Sequence, residues 1–163
     1  MRRIDCPIGF LVLALAAIGG CGLPSDKELL SLYEAKKDTF ERLRRMSLEN
    51  RHLSHVGTDS YSEDFKGQTY SAPSTHLSAE RWAGYRSLLI ELSSEASISR
   101  GPLMTNTIWF PIAYERRTWK RSCKGVCFST VTVEPLCESL DGPLAGFRSY
   151  RRINEHWYMY LDQ

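Results

Sequence analysis

Ile108-Trp109-Phe110-Pro111-Ile112-Ala113-Tyr114 is the stretch on which the fold turns. Ile108, Phe110, Ile112 and Tyr114 recur at every second position, the period of a strand with one buried face. Pro111 has no amide hydrogen for a ladder, so this strand is expected at an edge or with a bulge. Working outward, Val126 to Val133 is rich in Val, Thr and Phe and predicts a second strand. Glu134 to Gly146 carries two prolines and two glycines and predicts a loop. Phe147 to Ile153, then Asn154-Glu155-His156, then Trp157 to Leu161 predicts a closing hairpin with a three-residue turn. Its last strand sets Trp157, Met159 and Leu161 on one face and Tyr158 and Tyr160 on the other. The first set is expected in the core. The tyrosine side is a candidate groove lining, because aromatics with polar tips suit interfaces.

Toward the N-terminus the period changes. Ser25-Asp26-Lys27-Glu28 is a capping box, with Ser at the cap and Glu three residues on. The helix it opens is predicted to run to about Met46, with Leu29, Leu32, Tyr33, Phe40 and Leu43 on one stripe. Asp38–Arg42 and Glu41–Arg45 are favourable pairs on its polar face. Residues 57–77 are rich in Ser, Thr, Gly and Asp and are expected as one long polar loop. Ser78 caps a second helix bearing Trp82, Tyr85, Leu88, Leu89 and Leu92. Two helices followed by strands predict a single α+β domain over residues 25–163. Its expected form is two N-terminal helices packed on an antiparallel sheet of about four strands, a two-layer sandwich.

The first residues read differently. Met1-Arg2-Arg3 is basic, Ile8 to Ile18 is apolar apart from Gly9, and Gly19, Gly20 and Cys21 follow. This is the plan of a secretory signal. The apolar run is short of the roughly 20 residues that span a bilayer. Ile18-Gly19-Gly20-Cys21 resembles a bacterial lipobox. The resemblance implies a lipoprotein precursor, cleaved between Gly20 and Cys21, with lipid as a thioether on the Cys21 thiol and acylation of the new amino terminus. Residues 21–24 would then be a lipidated tether. Gly22 stands where an Asp would mark inner-membrane retention in Gram-negative lipoproteins. That implies an outer-membrane anchor facing the periplasm in such a source. The rest of the chain is similar to a group of small bacterial lipoproteins of no assigned activity. The similarity is carried by Pro24-Ser25-Asp26, Arg81-Trp82, Tyr85-Arg86, Lys124-Gly125, Tyr150-Arg151, Trp157-Tyr158 and Tyr160. It implies no activity for this chain.

Composition narrows the partners. Without the first 20 of its 163 residues, the chain keeps 143. Of 21 basic and 19 acidic residues, Arg2, Arg3 and Asp5 fall in the leader, leaving 19 and 18. That balance argues against a nucleic-acid partner, which selects a strong basic excess. Cys123, Cys127 and Cys137 offer one disulfide among three pairings in an oxidising compartment. Lys124-Gly125-Val126 is expected as a tight turn between the first two. Zinc is disfavoured, since the spacing is not Cys-x-x-Cys and no second ligand pair follows.

Few residues carry chemistry. His52, His55 and His76 lack the glutamate and spacing of a zinc motif, so no metal is expected. No Gly-x-Ser-x-Gly elbow and no phosphate loop occurs. Cys127 with His156 is a formal Cys–His pair, with a structural cysteine the simpler reading. Glu63 and Asp64 lie in the polar stretch as solvated carboxylates. Arg116, Arg117, Lys120, Arg121 and Lys124, interleaved with Trp119, form a candidate patch for an anionic partner, such as lipid headgroups, glycan phosphates or an acidic protein. The function expected is a non-enzymatic binding or scaffolding module of the cell envelope. It would be held to the membrane by its lipid, with an envelope protein as candidate partner and no cofactor besides the lipid on Cys21. An envelope hydrolase or peptidoglycan-modifying enzyme, and a periplasmic immunity or inhibitor protein, are the alternatives.

Overall fold

The computed structural model describes residues 22–63, 69–74, 77–101, 106–117, 120–141 and 147–163. The elements run α1 (Asp26–Ala35), α2 (Lys37–Glu49), β1 (Leu53–Val56), β2 (Tyr61–Glu63), β3 (Thr69–Tyr70), α3 (Ala79–Leu92), β4 (Ile98–Ser99), β5 (Thr107–Arg117), β6 (Lys120–Ser129), β7 (Arg148–Arg152) and β8 (Trp157–Asp162). The strands form one sheet in the order β3-β2-β1-β4-β5-β6-β8-β7, every neighbour antiparallel.

The expected sandwich of two helices on about four strands is therefore corrected, among the described residues, to three helices and an eight-stranded sheet. The sequences of β5 and β8 alternate, whereas β6, expected at Val126 to Val133, runs from Lys120 to Ser129. The first four strands have two to four residues each, too short for a period-2 pattern to show. Two of them, β2 and β3, lie inside the stretch expected as a polar loop. The extra helix comes from a division of the first. The capping box forms as expected: Glu28 N–H donates to Ser25 Oγ at 3.3 Å and Ser25 N–H to Glu28 Oε2 at 2.7 Å. Lys36 then leaves the helical well at φ −120°, ψ 22°, and the chain bends before α2. No glycine or proline marks this bend, which lets Tyr33 and Phe40 both face Trp157 at ring distances of 5.4 and 5.9 Å. Among the described residues, no helix is long and apolar enough to cross a membrane.

Pro111 causes a bulge rather than an edge. The β5–β6 register shifts between Pro111 and Ala113, while β5 itself lies between β4 and β6. Opposite Pro111 stands Gly125, where a Cβ would come within 2.3 Å of Phe110 O. The two backbones are that close only because Gly125 has no side chain. Gly125→Ala is expected to force them apart and cost about 1–3 kcal/mol, as overpacking does. Urea unfolding would measure it, and an unchanged midpoint would refute the close-packing account.

The core lies between the sheet's inner face and the helices. Ile108, Phe110, Ile112, Val126, Trp157, Met159 and Leu161 meet Tyr33, Phe40, Leu43, Tyr85, Leu88, Leu89 and Leu92. Burying each such side chain stabilises the fold by roughly 1.5–3 kcal/mol before entropy is counted. One charged group breaks this apolar layer. Lys124, expected on an exposed basic patch, is instead 2% exposed and points inward. Its Nζ lies 2.8 Å from Asp26 Oδ1 and 2.7 Å from Asp141 Oδ1. Asp26 is equally buried. Its Oδ2 accepts from Arg151 Nη1 at 2.9 Å, Leu140 N–H at 2.8 Å and Ser139 Oγ at 3.1 Å. This cluster pins the start of α1 to β6, β7 and the segment that follows β6.

Candidate functional site on the helix-free sheet face

Strand alternation gives the sheet a second face. Trp109, Cys127, Val133, Tyr150, Tyr158 and Tyr160 form a separate buried cluster there, with Cys123 packed against it. Val133 comes from the segment after β6 and covers part of this face. Arginine side chains lie over the rest. Arg148 stands 5.2 Å from the Trp109 ring centroid, Arg152 5.6 Å from Tyr158 and Arg121 4.2 Å from Tyr114. Each stem shields an aromatic from water while the charged head stays at the surface.

Between these arginines the face is concave. A cavity of about 770 Å³ is bordered by Trp109, Pro111, Arg121, Arg148, Tyr160 and Asp162. A second of about 570 Å³ adjoins it, with Asp59 and Glu95 in its lining and Glu95 Oε2 accepting from the Tyr114 N–H at 3.3 Å. His55, Tyr114 and Arg121 line both. Cross-strand pairing explains the meeting. His55 is opposite Ser99, Ser99 opposite Trp109, and Tyr114 opposite Cys123, which in turn is opposite Asp162. All six project to the same side of the pleat.

The charges are sorted by environment. His55 Nδ1 is 3.1 Å from Ser99 Oγ, and burial together with the positive charge of Arg121 pushes its pKa down. The ring is therefore neutral at pH 7. Burial alone would lower the Arg148 pKa, but the hydrogen bond and charge of Asp162 raise it overall, so the guanidinium stays charged. None of the ion pairs among the described residues engages Arg121. Burial pushes the Cys123 thiol up, with the hydrogen bond from Tyr160 opposing it. Burial pushes Cys127 up much further. Both are protonated thiols at neutral pH, poor nucleophiles.

Comparison of the chain with protein-family models, curated proteins and solved structures gives no match.

The structure distributes the residues singled out in the sequence as follows. Of the basic stretch, Arg121 lies on the outer face and Lys124 is buried on the inner one. By register Arg116 stands opposite Arg121 and Arg117 opposite Lys120, at the closed end of the β5–β6 hairpin. Trp119 lies outside the described residues, as do Asp64, His76, the lipobox and Cys21. Lys124-Gly125-Val126 is extended strand, not a turn. Cys123 and Cys127 are thus four residues apart on one strand, about 13 Å, beyond the roughly 7 Å a disulfide tolerates. Cys127 belongs to the outer cluster and Cys137 packs against the inner core, so the sheet separates them. All three are free thiols. Cys127 and His156 are not brought together either, since the His156 ring packs on Phe128, at 5.7 Å. His52 lies in the turn before β1 and His55 within it, so they share no helical face. Among the described residues, no group of three or more metal-ligating side chains converges.

Of the two tyrosines expected to line a groove, Tyr160 borders the larger cavity and Tyr158 lies buried under Arg152. Trp109, Arg148 and Asp162 were not expected at a site, and Tyr114, expected on the core stripe, is turned to the outer face by the bulge between Pro111 and Ala113. A signal existed: Trp109 sits out of phase with the Ile108–Phe110–Ile112 stripe, so an aromatic was bound to face away from that core.

Proposed function

We propose that this protein is a lipid-anchored binding module of the cell envelope, non-enzymatic, with the helix-free sheet face as its ligand surface. The observation that carries the reading is the groove built from Arg121, Tyr114, His55, Trp109 and Arg148. Its charged heads stand over aromatic rings, and its thiols and imidazole are uncharged. That arrangement suits recognition of a polar, partly apolar ligand. The anchor is supported by Ile18-Gly19-Gly20-Cys21, with Gly22 favouring the outer membrane in a Gram-negative cell. Only four residues separate Cys21 from Asp26, where α1 begins. At about 3.5 Å each they hold the domain within roughly 15 Å of the headgroups.

Two measurements test this. Full-length protein expressed in a Gram-negative bacterium is expected to incorporate radiolabelled palmitate and to remain with membranes after high-salt washing. Cys21→Ser should abolish both, and label that survives it would refute the anchor. A photoreactive residue in place of Ser94, which is exposed and lines the smaller cavity, is expected to give a discrete adduct in growing cells. A labelled, anchored protein with no adduct there would refute the ligand surface.

A further inference from the structure

The charges along the groove are ordered. Asp59 and Glu95 line the smaller cavity and are exposed, with Glu95 Oε2 accepting from the Tyr114 N–H at 3.3 Å. Arg121 and His55 stand at the junction of the two cavities. Beyond them the larger cavity is bordered by Pro111, by Trp109 with the Arg148 guanidinium over its ring, and by Asp162. The smaller cavity thus carries two carboxylates, the junction a guanidinium with a neutral imidazole, and the larger cavity a second guanidinium paired with Asp162.

Donor geometry at the junction favours an oxyanion. Arg121 carries a planar fork of N–H donors suited to phosphate oxygens. When Ser99 Oγ–H donates to His55 Nδ1, the single proton of the neutral ring sits on Nε2. Nε2 is on the Gly57 side of the ring, where the smaller cavity lies. A phosphate there takes hydrogen bonds from Arg121 and from Nε2. A simple dianion would also meet the field of Asp59 and Glu95. A ligand that places a cation toward those carboxylates turns that repulsion into attraction.

We propose that the groove binds a phosphate ester bearing an ammonium group on a short spacer, a phosphoethanolamine-type zwitterion. Its phosphate sits between Arg121 and His55, its ammonium faces Asp59 and Glu95, and its ester substituent enters the larger cavity. The chemistry is the same in a free phosphoethanolamine and in a phosphatidylethanolamine headgroup. The inference rests on the reading of this face as a ligand surface and is independent of the anchor.

The test uses the full-length protein purified from membranes in nonionic detergent, with arginine Nε–Hε resonances followed by NMR. The titrants are phosphoethanolamine, glycerol phosphate, and dihexanoyl-phosphatidylethanolamine. A saturable shift at Arg121 is expected with both zwitterions, at least tenfold tighter than with glycerol phosphate. Arg121→Gln should weaken binding tenfold or more, whereas Arg42→Gln, exposed on α2, should leave it unchanged. The Asp59→Asn/Glu95→Gln pair should erase the preference for the zwitterions while glycerol phosphate still binds. Tighter binding of the dihexanoyl lipid assigns the ligand to a lipid headgroup, and equal binding assigns it to the phosphoethanolamine group itself. Glycerol phosphate binding as tightly as the zwitterions, or no saturable shift at Arg121, overturns the proposal. If that happens while the Ser94 photo-adduct forms, the ligand surface stands and only its assigned ligand falls. Mass spectrometry of the same sample reads the Cys21 lipid separately.

Discussion

Asp26→Ala is expected to destabilise the domain by about 3 kcal/mol, the lower end of what breaking a buried ion pair costs. Four interactions vanish together: those with Lys124 Nζ, Arg151 Nη1, Leu140 N–H and Ser139 Oγ. Lys124 stays buried with a single carboxylate, Asp141, at 2.7 Å. That remaining partner is why the upper end of the range is not reached. Asp26 also sits in the first turn of α1, where a negative charge complements the helix dipole. The midpoint of thermal unfolding should fall by on the order of 10 °C. The double variant Asp26→Leu/Lys124→Met should recover most of the loss, because neither buried charge then remains. A single variant as stable as the parent in urea would show that the cluster contributes nothing.

The same cluster fixes an acid limb. Burial alone would raise the Asp26 pKa. Lys124, the Leu140 amide and Arg151 outweigh it and hold the carboxyl at about 2, against an ordinary 3.8. A depressed folded-state value means the unfolded chain takes up the proton first. The stabilisation is fully present above about pH 4 and is lost as pH falls through about 2. In Asp26→Asn the stability should depend less on pH across that interval. Urea midpoints at pH 5, 3 and 2 would read it, and parallel curves for parent and variant would refute the assignment.

Trp157→Ala is the second large effect, expected at about 3–5 kcal/mol for loss of a buried indole and the cavity it leaves. Trp157 lies among four rings, Tyr33, Phe40, Phe110 and Phe128, at centroid distances of 5.4 to 5.9 Å. These join α1, α2, β5 and β6 through one side chain on β8. Its Nε1–H donates to Glu41 Oε1 at 3.0 Å, which would orphan that contact in any apolar replacement. Trp157→Phe keeps a ring and should cost about half as much. If both variants unfold at the parent's urea concentration, the ring cluster is not the centre of the core.

Some of this was legible in the residues. Ser25 and Glu28 named the start of α1 because capping is a contact three residues long. Ile108, Phe110 and Ile112 named the inner face of β5, and Trp157, Met159 and Leu161 that of β8, because a pleat alternates without help from the rest of the chain. Pro111 announced an edge or a bulge, since a missing amide hydrogen is a property of the residue itself, and the pairing of β5 with both β4 and β6 left the bulge. The strands β1 to β4 were illegible for a related reason. With two to four residues each, they owe their pairing to β5 and to one another rather than to a pattern of their own.

Lys124 shows the limit most clearly. In sequence it stands in a basic run with Arg116, Arg117, Lys120 and Arg121, and charge alone places all five in water. Strand parity sends Arg121 outward and Lys124 inward, and burial is tolerated only because Asp26 and Asp141 arrive from distant parts of the chain. The groove has the same origin. His55, Tyr114, Arg121 and Arg148 come from four strands, and pairing across the sheet is what sets them side by side. Signals that lie within a few neighbouring residues were enough for the helix cap, the alternation of β5 and β8 and the break in the ladder at Pro111. The eight-stranded sheet, the bend at Lys36, the buried ion cluster and the arginine–aromatic groove needed the folded chain, because each depends on residues far apart in sequence meeting across the fold.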